Sequence, residues 1–114
     1  MSDLKNFSKN NGWIFSTKND FPGVLELLDF IIILLPCWSP KDVSILEAIK
    51  EIISSRKIVV YVLDIDDFGT QDEMQEVFPG MPMINQTPVV GLYENGSLKM
   101  MAMGTEQVSN LSFP

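Results

Sequence analysis

One cysteine and no histidine occur among the 114 residues. A lone Cys37 cannot close a disulfide within the chain, furnish a zinc cluster or form a two-cysteine redox motif. Without histidine, a metal would have to be held by carboxylates alone, and a hydrolytic Ser–His–Asp arrangement is excluded. Basic residues are scarce as well: eight Lys and Arg stand against fifteen Asp and Glu, a formal charge of −7. Neutralising a phosphate backbone or an anionic bilayer takes clustered cations, so this balance argues against nucleic-acid and membrane partners. Long apolar runs are also missing. The most apolar stretch, Phe30 to Leu35, is far short of the roughly 20 residues of a membrane-spanning helix. Met1 to Gly12 is polar and lacks the apolar segment of a signal peptide. The expectation is a reducing, cytoplasmic protein.

What is present describes a globular chain, with 46% hydrophobic and 20% charged residues. A chain of this length buries roughly two thirds of the surface it would expose unfolded, enough for a core without covalent staples. No repeat or Pro/Gly/Ser-rich linker interrupts it, which predicts a single domain over 1–114. Trp13 to Thr17 has the aromatic and β-branched content of a short strand, and Asp20 to Gly23 opens a helix running into Val24–Leu28. Phe30 to Leu35 is continuously apolar rather than alternating, the mark of a central strand covered on both faces.

The segment from Ser39 to about Ser55 is the clearest helix. Ser39 can cap it, Pro40 suits its first turn, and Ile45, Leu46, Ile49, Ile52 and Ile53 fall on one face. Ile58 to Leu63 is a second covered strand, and a crossover of that length implies a parallel pair. Gln71 to Val77 predicts a short helix, and the prolines and glycine of Phe78 to Met83 forbid regular structure. Thr87 to Tyr93 and Ser97 to Met103 form a hairpin through Glu94-Asn95-Gly96, because Asn and Gly both accept positive φ. Glu106 to Pro114 leaves room for a brief helix only.

This order, with Cys37 at the junction of a buried strand and a long helix and Thr87-Pro88 opening a hairpin strand, resembles thioredoxin. Pro36-Cys37-Trp38-Ser39-Pro40-Lys41 occupies the place of the family's Trp-Cys-Gly-Pro-Cys motif. Leu63-Asp64-Ile65-Asp66 falls where the family has a strand ending in Asp. Beyond an insertion between Phe68 and Gln86, Pro88, Asn95, Gly96 and Gly104 match the family's Pro-strand-Asn-Gly-strand-Gly block. The resemblance spans roughly Trp13 to Gly104. It implies an α/β, three-layer thioredoxin-like fold: a mixed sheet of about four strands flanked by helices, with a shortened C-terminal helix.

The resemblance also implies a site. In the family the proline corresponding to Pro88 is cis, which would bring Thr87 beside Cys37 and offer its backbone to an extended peptide. Cys37, Trp38, Ser39, Pro40, Thr87 and Pro88 would then share one surface. A thiol at a helix N-terminus has its thiolate stabilised, and thiolate is the attacking species. Three departures matter. Pro40 replaces the resolving cysteine, so no second thiol in this chain can release a mixed disulfide. Ile31 and Val62 occupy the positions of the family's buried Asp and nearby Lys, which assist that release. A register one residue over would put Trp38 at the nucleophile position; Cys37 keeps the spacing to Asp66.

Several readings stay open on the residues themselves. Cys37 is a reactive monothiol, a buried inert thiol or a contact between chains. Trp38 docks a partner or packs against the insertion. Ser39 reads as a helix cap rather than a nucleophile. Asp64, Asp66, Asp67 and Asp72 read as a solvated acidic edge, since the pattern lacks the glycine and terminal Glu of a calcium loop. Met81, Met83, Met100, Met101 and Met103 read as core fillers or an adaptable binding surface. Ordinary two-cysteine turnover is excluded, so the expectation is monothiol exchange or thiol-dependent binding at Cys37, with a protein or glutathione as the thiol partner and no other cofactor or metal. The alternative is a redox-inactive protein–protein interaction module. A homodimer contact is one way to cover the short C-terminal helix.

Overall fold

The computed structural model describes residues 2–23, 29–36, 44–54 and 57–111. Within them, helix α1 (Ser2–Asn10) leads to strand β1 (Ile14–Ser16), β2 (Asp29–Leu35), α2 (Leu46–Ile53) and β3 (Val59–Asp64). A single 3-10 turn (Ile65–Asp67) precedes α3 (Gln71–Val77), and the hairpin β4 (Val89–Glu94) and β5 (Ser97–Met103) ends in α4 (Thr105–Ser109). The strands form one mixed sheet in the order β1-β3-β2-β4-β5. β1 and β2 both run parallel to β3, whereas β4 is antiparallel to β2 and to β5. The sheet has five strands, in keeping with the about four that the resemblance implied, and the short strand read over Trp13 to Thr17 is β1, which pairs Ile14 with Tyr61 and Ser16 with Leu63.

The two faces follow from the period-two geometry of a strand. On β2, Ile31, Ile33 and Leu35 point to one side, where they meet Val60 and Val62 of β3, Val90 and Leu92 of β4, and Leu46, Ile49 and Ile53 of α2. Phe30, Ile32 and Leu34 point to the other, against Tyr61, Leu63, Tyr93, Phe21 and Phe78. Both faces being covered explains why β2 shows no polar alternation. Phe30 and Tyr93 stack with ring centroids 5.1 Å apart and nearly parallel planes, and Phe21 meets Tyr61 edge-on at 5.1 Å.

Helix α2 carries the apolar face read from the sequence: Ile45, Leu46, Ile49 and Ile53 are buried, Ile52 is half-buried, and Glu47, Lys50 and Glu51 face solvent. The predicted start of that helix at Ser39 and the predicted helix over Val24–Leu28 lie outside the described residues. Helix α1 is a departure from the reading of Met1–Gly12 as merely polar. It closes on Asn11, whose side chain donates to the Phe7 carbonyl at 2.8 Å. Phe7 then lies against Trp13, their ring centroids 5.5 Å apart. The hairpin turn is built by Asn95 at φ 54° and Gly96 at φ 82°, the pair of left-handed conformations that a tight two-residue turn requires. At Lys99 the β4/β5 register slips, Tyr93 pairing with Leu98 and Leu92 with Met100. That bulge moves Leu98 onto the aromatic face while Met100 stays on the α2 face.

Candidate functional site around the Thr87 to Pro88 loop

The loops that leave β1, β3 and β2 and the loop that enters antiparallel β4 gather at one end of the sheet. Leu35, the last residue of β2, pairs with Asp64, the last of β3, and Leu34 pairs with Val89 of β4. The last β2/β4 pair therefore sets Val89, the residue after Pro88, beside Leu34, one residue before the end of β2. Pro88 is buried and Thr87 half-buried, and the peptide bond between them is cis. Cys37, Trp38, Ser39 and Pro40 lie outside the described residues.

The Thr87–Pro88 loop is fastened on both sides. After it, the Pro88 carbonyl accepts a hydrogen bond from the Gly104 N–H at 2.9 Å. Gly104 has φ 89°, a conformation that favours glycine, whereas a Cβ there would have to displace only the end of the exposed Gln86 side chain. Before the loop, Gln71 of α3 pairs its amide with both backbone groups of Ile84. Its Nε2 donates to the Ile84 carbonyl at 3.1 Å and its Oε1 accepts from the Ile84 N–H at 3.3 Å. One helical turn on, Gln75 donates to the Met81 carbonyl at 3.1 Å. The Tyr93 hydroxyl donates to the Pro79 carbonyl at 2.9 Å, and burial pushes its pKa up to about 12. The region between Phe68 and Gln86 is therefore a packed element, with Phe68, Met74, Phe78, Met81 and Ile84 buried on the aromatic face.

The acidic residues of this end hold loops together. Asp64 accepts from the Asp66 N–H at 2.9 Å, and Asp67 accepts from the Lys18 N–H at 2.7 Å. The Lys18 ammonium pairs with Glu73, whose own N–H is capped by Thr70 at 3.1 Å. The Lys18–Glu73 hydrogen bond holds the Glu73 carboxyl below its ordinary value and the Lys18 amine above its own. Among the described residues no three acidic or cysteine side chains converge as metal ligands, and no helix among them is long and apolar enough to cross a membrane.

Ile31 and Val62 are fully buried in the apolar layer against α2. The only buried polar or charged residues among those described are Ser8 and Ser16, so no carboxylate or amine is buried there. Of the methionines, Met74 and Met81 fill core, Met83 is 69% exposed, and Met100, Met101 and Met103 line an open groove of about 670 Å³ beside α4. Sequence reasoning singled out Thr87, Pro88 and Gly104 but missed Gln71, Gln75 and Lys18. The one available signal was the i, i+4 spacing of two glutamines on a helix preceding an irregular segment.

No family model and no curated protein matches the sequence. Solved structures do match by shape. Thioredoxin O2 from Arabidopsis thaliana, in its oxidised state, superposes with a TM-score of 0.62 at 16% identity, over 87% of this chain and 88% of that one. A Plasmodium falciparum thioredoxin gives 0.59 at 20% identity, over 80% and 85%. Thioredoxin f2 from Chlamydomonas reinhardtii gives 0.54 at 18% identity, over 82% and 84%. The chain has the thioredoxin-like α/β fold: a mixed sheet between helical layers, closed by a short C-terminal helix.

Proposed function

We propose that this chain is a monothiol exchange protein that acts through Cys37. The observation that carries the reading is the β2/β4 register, whose last pair, Leu34 with Val89, puts the start of β4, just after Thr87–Pro88, at the end of β2, from which Leu35 and Pro36 lead directly to Cys37. In a thioredoxin-like fold that is where the reactive thiol and the peptide-contacting loop meet. The reaction is a single displacement. The Cys37 thiolate attacks one sulfur of a disulfide, a Cys37–partner disulfide forms, and the other half leaves as thiolate. An external thiol then attacks the mixed disulfide and returns Cys37 to its reduced state. The partner is a protein or glutathione. Trp38, Ser39, Pro40, Thr87 and Pro88 form the contact surface around the thiol. Because release depends on an external thiol, the reaction belongs in a reducing compartment.

A second reading, a redox-inactive protein-binding module on the same scaffold, is favoured by the apolar burial of Ile31 and Val62. Folds outlive their chemistry. Incubation of the folded protein with oxidised glutathione, followed by intact-mass analysis, separates the two. Exchange gives a single glutathione adduct that a dithiol reverses and that Cys37→Ser does not form. An unmodified mass under native conditions, with an adduct only after unfolding, contradicts exchange and leaves the binding module.

A further inference from the structure

We infer that Gln71 is a positioning residue for the peptide-contacting loop, setting where Thr87 stands relative to an extended substrate. The inference rests on the monothiol reading and assigns a role to a residue of α3 that does not itself touch substrate. The geometry is a two-point clamp. The Gln71 amide takes up both the N–H and the C=O of Ile84, as a neighbouring strand would, although residues 81–88 belong to no strand or helix. Only Asn85, Gln86 and Thr87 separate that clamp from Pro88, whose carbonyl is held by Gly104. Thr87 thus lies in a segment anchored on α3 before it and at the end of β5 after it.

The clamp's surroundings make it effective. Ile84 is buried and Gln71 half-buried, so water competes less for these bonds than at an open turn. The helix that carries Gln71 is pinned at its first turn by the Thr70 cap and the Lys18–Glu73 pair and on its inner face by Met74. Gln75 repeats the contact one turn later at Met81. Removing the Gln71 amide leaves the helix in place and releases the segment ahead of Thr87. The consequence falls on alignment of an extended peptide and leaves the intrinsic nucleophilicity of the thiol untouched.

Two disulfide probes with the same leaving group read this difference. One is a short extended peptide with a central cysteine activated as its 5-thio-2-nitrobenzoate disulfide, and the other is 5,5′-dithiobis(2-nitrobenzoate). In each case Cys37 thiolate forms a mixed disulfide and one thionitrobenzoate anion is released and measured. Gln71→Ala should lower the peptide rate about fivefold, the weight of one net hydrogen bond, with the small-disulfide rate unchanged. Gln71→Met, which keeps the length of the side chain but makes neither bond to Ile84, should match Gln71→Ala and serves if the alanine variant does not fold. A peptide-to-small rate ratio equal to wild type in the folded variants overturns the positioning role alone. A wild-type protein inert to both probes overturns the exchange reading and this inference with it.

Discussion

Lys18 joins two loops with one residue: its N–H reaches Asp67 on the 3-10 turn and its ammonium reaches Glu73 on α3. The sign of its pH dependence follows from the two shifts. Glu73 is lowered from 4.5, so its contribution is complete above that value and is lost as pH falls through its folded pKa. Lys18 is raised from 10.5, so its contribution is complete below that value and is lost as pH rises through its folded pKa. Glu73→Gln should therefore lower mid-range stability slightly, as befits a partly exposed pair, and its curve should converge with wild type at the acid and alkaline extremes, which flattens both limbs. Urea midpoints across pH check this; parallel wild-type and variant curves would count against the pair. Tyr93 behaves differently, since burial pushes its hydroxyl up to about 12 from 10. It keeps its proton in the folded state while the unfolded chain loses it, so stability declines as pH rises above about 10. Tyr93→Phe should remove that decline and, at neutral pH, lower stability by about 1 kcal/mol through the lost bond to Pro79.

Among elements, those legible in the sequence were the ones whose local pattern and tertiary role agree. The β2 run and the isoleucine face of α2 are apolar because each is buried, and burial is what periodicity reports. Leu46→Ala, at a fully buried position facing β2, should cost about 2–5 kcal/mol in chemical denaturation, against less than 0.5 for an exposed change such as Glu47→Gln. The hairpin was legible through Asn95-Gly96, and Gly96→Ala at φ 82° should cost about 1 kcal/mol by the same measurement. α1 was not legible, because its apolar positions are few and its stop depends on an Asn11 side-chain bond. The bulge at Lys99 was hidden for another reason: a register slip depends on the partner strand. The Gln71 and Gln75 clamps were hidden too, since side-chain bonds to an irregular segment leave no periodic trace.

At the scale of the whole molecule, the sheet order places a parallel half and an antiparallel half on either side of the β2/β4 seam. That seam puts the end of β2 and the start of β4, just after the loop fastened at Ile84 and Pro88, at the same end of the sheet. The exchange reading requires Cys37 to be accessible and ionised in the folded protein. The most direct test is the rate of Cys37 alkylation by iodoacetamide as a function of pH, folded and unfolded in urea. The expected result is a folded-state titration near or below about pH 7, with the unfolded chain titrating near about 8.5. A thiol that resists alkylation across the whole range until the chain unfolds would contradict the exchange reading and make Cys37 a core residue.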